Sequence, residues 1–165
     1  MHSSRFVNYK PLLVSLALSL TGAFAAGCGS QDDPTPVACL EGAATYEKAL
    51  DAAPGEVRLQ GETPIGACLA RNQKAGDLAR VGEALVETAT KLNAEARAQP
   101  GGSAAVQLGY LLGAAERGSE ESEGIHSDLV RRLTVAARYA PGGQPLTEEF
   151  LAAYREGFEA GLESG

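Results

Sequence analysis

The stretch AGDLARVGEALVETATKLNAEARAQ, residues 75–99, decides the fold class. Its apolar residues recur at the spacing of one helix face: Leu78, Val81, Leu85 and Leu92. A second face carries charges four residues apart, and its Glu87–Lys91 pair has the favourable order, worth about 0.3 kcal/mol. Such a charged row is typical of a solvated helix face. The pattern therefore predicts a long amphipathic helix with one buried side.

Proline and glycine divide the rest of the chain into further helical segments. Breaks are marked by Pro54-Gly55, by the PGG turns at Pro100 and Pro141, and by the acidic run 118–124. Sparse β-branched and aromatic residues favour helix over sheet. We expect helices at about 39–53, from Thr63, and at 75–99, 104–117, 125–140 and from Thr147. The sequence thus predicts an all-α fold, a small bundle of five to six helices.

Two of these segments carry glycines four residues apart, Gly109/Gly113 and Gly157/Gly161. Charged neighbours make both segments too polar for insertion in a membrane. Each glycine costs a helix about 1 kcal/mol relative to alanine, but a glycine pair lets a neighbouring helix approach closely. We expect close packing here, with a small-residue groove for a ligand as the alternative. Three tyrosines are expected in the core with their hydroxyls at the surface: Tyr110, Tyr139 and Tyr154.

The beginning of the chain has the features of an export signal. Arg5 and Lys10 give it a positive start, and residues 12–26 are apolar but too short to span a bilayer comfortably. The following Ala25-Ala26-Gly27-Cys28 resembles the lipobox of bacterial lipoproteins, where the cysteine is acylated and the chain is cut just before it. This resemblance implies a signal peptide at 1–27 and an acylated Cys28. It also implies a place on the extracytoplasmic face of the bacterial cell envelope, anchored to a membrane by lipid.

Counting cysteines bears on how the signal is cut. Ala23-Phe24-Ala25 is an A-x-A site, and cleavage there would release a protein with three thiols. If Cys28 carries the lipid, only Cys39 and Cys68 remain, and two cysteines pair in an oxidising compartment. We therefore favour the lipoprotein with one disulfide, Cys39–Cys68, and keep simple secretion as the alternative.

The net charge of the mature chain limits the classes of partner that it can bind. The whole chain has 14 basic and 21 acidic residues; Arg5 and Lys10 leave with the signal, so 12 basic residues remain and the net charge becomes −9. An acidic chain is a poor ligand for nucleic acid and for anionic head groups. We expect no nucleic-acid partner, attachment to the membrane through the N-terminal lipid, and an envelope protein as a candidate partner. Residues 28–38 are predicted to be the acylated cysteine with a polar linker, and 39–165 one helical domain.

Motifs for catalysis and cofactor binding are missing from the sequence. It contains no HExxH, G-x-S-x-G, P-loop or CxxC. Once the signal is removed, His126 is the one histidine, and we expect it at the surface or in a helix cap. We expect no catalytic residue, no cofactor and no metal. The weak candidates for a metal site lie in and after the acidic run: Glu121, Glu123, His126 and Asp128. A solvated acidic turn is the favoured alternative.

Two classes of function remain. The first is a non-catalytic interaction or structural module that uses a helical surface or groove. The second is an envelope enzyme with a pair of carboxylates, as in glycan-cleaving enzymes. Two carboxyl groups facing each other in a cleft would distinguish the second class from the first. Because no catalytic constellation is visible, we favour the first class, and the sequence leaves its ligand or partner open.

Overall fold

The computed structural model describes residues 33–165. They contain five α-helices and two 3₁₀ turns, joined by loops. The α-helices are α1 Ala43–Leu50, α2 Ala75–Ala98, α3 Ser103–Glu121, α4 Ser127–Arg138 and α5 Glu148–Ser164. The 3₁₀ turns are Val37–Leu40 and Gly66–Cys68. No strand occurs within these residues, so the all-α prediction is confirmed. The expected signal and Cys28 lie outside the described residues.

The strongest sequence pattern gives the most accurately predicted helix. α2 begins at Ala75 as predicted and ends at Ala98, just before Pro100. α3 is longer than predicted, because it continues past Arg117 through half of the acidic run to Glu121. Gly118 allows this extension: a Cβ there would lie 2.5 Å from the carbonyl oxygen of Gly66. The helix therefore packs directly on the second 3₁₀ turn instead of ending before it.

The first part of the domain is less regular than predicted. In place of one helix at 39–53, a 3₁₀ turn ends at Leu40 and α1 begins only at Ala43. The cause is Gly42, whose φ of +87° lies in the left-handed region that interrupts a helix. Thr63 does not begin an α-helix either: it pairs with Leu59 in an isolated antiparallel bridge, and only a 3₁₀ turn follows.

A disulfide joins the two 3₁₀ turns. Cys39 and Cys68 are bonded, with their Cα atoms 5.5 Å apart, and both are fully buried. The predicted pairing is therefore confirmed. Beside it, the buried hydroxyl of Tyr46 in α1 donates a hydrogen bond to the Cys39 carbonyl over 2.9 Å. The short α1 is thus held to the domain by a covalent link and by a buried hydrogen bond close to it.

The longer helices form two parallel pairs, the first of which is α2 with α4. Near their beginnings, Gly82 of α2 faces the side chain of Leu129. Near their ends, the amide of Asn93 donates to the carbonyls of Ala136 and Tyr139, over 3.1 and 2.7 Å. The first part of α2 thus contacts the first part of α4, and the last part of α2 contacts the end of α4. The two helices therefore run in the same direction. Asn93 also satisfies carbonyl groups that the end of α4 would leave unpaired.

The second parallel pair, α3 with α5, packs backbone to backbone at the glycine pairs. A Cβ on Gly109 would lie 2.0 Å from the Tyr154 carbonyl oxygen, and one on Gly157 would lie 1.9 Å from that of Val106. Real side chains do not approach so closely, so only glycine fits. The expected close packing is confirmed, and the two helices leave no space between them for a ligand at these positions.

The core lies where α2, α3 and α4 meet and continues beneath the disulfide. Its largest fully buried side chains include Tyr46, Leu50, Leu85, Leu108, Tyr110, Leu111 and Leu133. The tyrosine prediction is right for the ring of Tyr110 but wrong for its hydroxyl, which is buried as well, and Tyr154 is only partly buried. It is wrong for Tyr139, which is 62% exposed, because this residue follows the last residue of α4 and leaves that helix's buried face.

Candidate functional site

A shallow groove on the outer surface of the α2–α4 pair is the largest of the depressions described below. It has a volume of about 420 Å³. Seven residues line this surface, called here the α2–α4 groove: Val86, Thr90, Arg131, Arg132, Val135, Ala136 and Tyr139. Val135 and Tyr139 are each 62% exposed, an unusual position for large apolar side chains that stand side by side. The groove is therefore an accessible apolar surface that is open to a binding partner.

The walls of the groove are built by the helices themselves. Asn93 ties the end of α4 to α2, which keeps the spacing between the two helices fixed. The hydroxyl of Thr90 donates to the carbonyl of Val86 in the preceding turn over 2.7 Å, so it is already satisfied within α2. On the other wall, Val135 lies off the buried stripe formed by Leu129 and Leu133. The core does not use Val135 and Tyr139, whereas Val86 and Ala136 are partly buried and also pack against it.

Arginines form the α4 side of the groove. Arg131 donates to the Asp128 carboxylate over 2.6 Å, and this hydrogen bond is the main reason why the pKa of Asp128 lies below its usual value. Arg132 lies next to it and lowers the pKa of Asp128 a little further. We define the α4 face as the exposed residues from Ser127 to Tyr139. It carries three arginines and one aspartate, a local charge of +2 in an acidic chain.

A second depression, of about 300 Å³, lies between α1 and α2 and is polar. Glu47, Asp51 and Glu95 line it, so it is where a pair of catalytic carboxylates could be sought. Lys91 pairs with Glu47, and this carboxylate is the main reason why the pKa of Lys91 is raised. The Gln107 amide donates to Asp51 over 3.3 Å. Glu47 is therefore engaged by a cation and Asp51 by a neutral amide.

The weak metal candidates are distributed over separate ion pairs. Arg117 donates to Glu121 over 3.1 Å within α3, Arg71 lies 3.1 Å from Glu123, and Arg131 binds Asp128. Each carboxylate thus has its own arginine, and the structure does not bring the four candidate residues together as a ligand set. Within residues 33–165 no three His, Cys, Asp or Glu side chains come together in a way that could hold a metal ion.

His126 occupies the N-cap position of α4, which is one of its two expected places, and it is not at the surface, which is the other. It is only 3% exposed, and its Nε2 lies 2.9 Å from the carbonyl oxygen of Ala70. A carbonyl only accepts, so Nε2 carries the proton, and Nδ1 has no partner among the described residues. His126 does precede α4, as a cap residue would, but its side chain caps no backbone amide. It instead connects the start of α4 to the segment before α2.

Sequence patterns missed the α2–α4 groove for a physical reason. The signal for α4 is its apolar stripe, whereas Val135 and Tyr139 lie away from that stripe. An isolated exposed valine or tyrosine is ordinary in any protein. These residues form a feature only because Val86 and Thr90 of α2 lie beside them, which is a tertiary contact. A valine on the polar side of α4, among arginines, is the one hint that the sequence offers.

Comparison with protein-family models, with curated proteins and with solved structures finds no significant match. None of the helices within residues 33–165 is long and apolar enough to cross a membrane.

Proposed function

We propose that this chain is a lipid-anchored, non-catalytic interaction module of the bacterial cell envelope, and that the α2–α4 groove is its contact surface. The anchor is supported by the lipobox-like Ala25-Ala26-Gly27-Cys28 and by the pairing of the other two cysteines. An acylated Cys28 would hold the domain on the extracytoplasmic face of a membrane. The groove itself is the single observation that carries the interaction role, because it places the exposed Val135 and Tyr139 side by side in one depression.

The alternative, an enzyme with paired carboxylates, has one place in the structure that favours it. This is the depression between α1 and α2 that Glu47, Asp51 and Glu95 line. General acid catalysis needs a carboxyl group kept protonated by an apolar setting or by a nearby like charge. Here the Lys91 ammonium pairs with Glu47 and the Gln107 amide donates to Asp51, so both carboxylates are already engaged by side chains of the protein. The interaction module is therefore the better supported function.

The anchor is tested by mass spectrometry of the mature protein purified from a bacterial membrane. We expect a chain that begins at Cys28 and carries the added mass of acyl groups. A Cys28→Ser variant is the control and should leave the membrane fraction. A mature chain that begins at Ala26 with a bare thiol at Cys28 would refute the anchor.

The contact surface is tested in intact cells with a photo-crosslinking amino acid. Placed at Val135, it should crosslink to an envelope component, whether lipid or protein. The matched control is Val37, a valine that is 75% exposed in the first 3₁₀ turn and outside the groove. Equal crosslinking from both positions would show that the groove is no more engaged than any other surface, and the proposal would fail.

A further inference from the structure

We infer that, in the anchored protein, the α4 face lies on the anionic phospholipid surface of the membrane, so that this surface occupies the α2–α4 groove. The inference rests on the proposed lipid anchor and names the partner of the groove. Three observations carry it: where the tether leaves the domain, how short the tether is, and how charge is distributed over the domain.

The tether leaves the domain next to the start of α4. The backbone amide of Asp33 donates to the Asn72 carbonyl over 3.2 Å, and the Asn72 amide donates back to the Asp33 carboxylate, also over 3.2 Å. Two residues before Asn72, the Ala70 carbonyl accepts the hydrogen bond from His126, which directly precedes α4. Asp33, the segment before α2 and the beginning of α4 are therefore joined in one region.

This exit point is fixed to the rest of the domain. The Gln73 amide donates to the Thr35 hydroxyl over 2.9 Å, and the Cys39–Cys68 disulfide clamps the chain a few residues further on. Residues 33–39 are held at several points, so the exit point stays beside the start of α4. The position of the domain above a membrane is consequently coupled to the place where the tether leaves it.

The stretch of chain between Cys28 and Asp33 is short. Five peptide units separate Cys28 from Asp33 and span about 17 Å at full extension. The distance along α4 from His126 to Tyr139 is about 20 Å at the helical rise. A domain anchored so closely can present only the surfaces around its exit point to the bilayer, and the α4 face begins at that point.

Charge selects the α4 face among these surfaces. The mature chain is strongly acidic, whereas the α4 face has a local charge of +2 from Arg131, Arg132, Arg138 and Asp128. The neighbouring α2 has no such positive excess, because its exposed charges are two basic and three acidic and sum to −1: Arg80, Lys91, Glu83, Glu87 and Glu95. An anionic surface therefore attracts α4 more than α2, which turns the arginine side of the groove toward the head groups.

The side chains of this face suit the boundary between water and lipid. Tyr139 combines an apolar ring with a polar hydroxyl, a combination that is enriched at membrane interfaces. Arginine can lay its apolar stem along such a boundary while its guanidinium reaches the phosphates. The whole-chain charge still opposes binding without an anchor, so this face sets the orientation of the domain and the acyl chains supply the attachment.

Tryptophan fluorescence tests the orientation directly, because the chain has no tryptophan. Tyr139→Trp places a single indole in the groove. Ala52→Trp places one on an exposed control site just after α1, away from the exit point, because the end of α1 lies against Gln107 of α3. The mature acylated proteins are reconstituted in vesicles of phosphatidylethanolamine and phosphatidylglycerol with brominated acyl chains, which quench indole on contact. We expect strong quenching of the Tyr139→Trp protein and weak quenching of the Ala52→Trp protein. In vesicles of brominated phosphatidylcholine alone, the difference should be much smaller.

Substitution of the arginines tests the cause. One arginine near an anionic surface favours contact about fivefold, so Arg131→Gln with Arg132→Gln should lower the ratio of docked to undocked protein about 30-fold. The matched control is Arg80→Gln with Arg155→Gln, which removes the same charge from exposed positions elsewhere. Equal quenching at both indole sites, or an equal effect of the two double variants, would overturn the inference.

The anchor and the orientation can fail separately. If mass spectrometry shows that Cys28 is not acylated, the anchor is refuted, and Cys28 is then the one thiol outside the disulfide. It can be coupled to a maleimide-bearing phospholipid, and the quenching experiment can be repeated with the same five-residue tether. Contrast between the two indole sites would then support the α4 orientation without the natural lipid, and its absence would refute it.

Discussion

Tyr110 shows at the residue scale how one polar group ties distant segments together. Its side chain is fully buried in α3, and its hydroxyl lies 3.3 Å from the backbone nitrogen of Val57 and 2.9 Å from the Ser164 hydroxyl. The loop after α1 and the end of α5 thus share one phenol. A buried amide that loses its acceptor costs more than the hydrogen bond contributed, because it remains desolvated.

We therefore expect Tyr110→Phe to lower the free energy of unfolding by about 1–3 kcal/mol, since it leaves the buried Val57 amide without an acceptor. Denaturant unfolding monitored by circular dichroism measures this value. Tyr139→Phe is the matched control: it removes the same atom from an exposed ring and should change stability by less than about 0.5 kcal/mol. Equal effects of the two variants would contradict the assigned role of Tyr110.

Because Tyr154 is partly buried, the free energy of unfolding should depend on pH in the alkaline range. Burial raises the pKa of Tyr154 to about 12, and burial also raises the pKa of Tyr46 well above the ordinary value. The unfolded phenol ionises near pH 10, so the folded state holds its proton to higher pH. The resulting stability is fully present below about pH 10 and is lost as pH rises toward about 12. Unfolding free energies measured across this range should fall less steeply in Tyr154→Phe than in the wild type; identical slopes would exclude this contribution.

At the scale of elements, the contact between α3 and α5 depends on the absence of side chains. Gly109→Ala would place a Cβ 2.0 Å from the Tyr154 carbonyl oxygen, and backbone atoms cannot rotate out of the way. We expect a loss of at least about 2 kcal/mol, although alanine favours helix by about 1 kcal/mol. Gly76→Ala is the control, because Gly76 lies in the exposed first turn of α2 with nothing within 4 Å. It should leave thermal stability unchanged or raise it, and an equal loss in both variants would contradict the packing argument.

The sequence predicted those elements whose boundaries depend on local chemistry. α2 has a sustained apolar period and a proline beyond its end, and its predicted limits are right to within one residue. The pairing of Cys39 with Cys68 followed from counting once Cys28 was assigned to the lipid, because the other two cysteines then leave one choice. The glycine pairs were also informative, since an unfavourable residue repeated on a helix face needs a packing reason.

Other boundaries depend on contacts between distant residues, which a local pattern does not contain. α3 passes Arg117 because Gly118 meets the backbone of Gly66. Nothing near His126 in the sequence indicates that Ala70 will accept its hydrogen bond. The α2–α4 groove was missed for the same reason, as it exists only where two helices lie side by side. Thus helix content could be predicted from the chain, and the candidate site could not.

At the scale of the whole molecule, the disulfide decides how the irregular first part of the domain stays attached. Residues 33–70 contribute one short α-helix and two 3₁₀ turns, against four longer helices in the rest. The same segment contains the exit point of the tether. Its attachment to the bundle therefore affects both the stability of the fold and the orientation that we infer for the anchored protein.

Removing the disulfide should weaken both properties. Cys39 and Cys68 are 29 residues apart, and the chain-entropy model gives about 3.5 kcal/mol for closing such a loop, an upper value because strain subtracts from it. We expect Cys39→Ser with Cys68→Ser to lower the free energy of unfolding by up to this amount. We also expect the segment before α2 to loosen, so that in anionic brominated vesicles the contrast between Tyr139→Trp and Ala52→Trp shrinks. Cys28→Ser is the stability control, because it removes a cysteine and leaves the disulfide intact. If stability falls and the quenching contrast persists, the hydrogen bonds of Asp33 and Gln73 alone fix the tether, and the disulfide serves stability only.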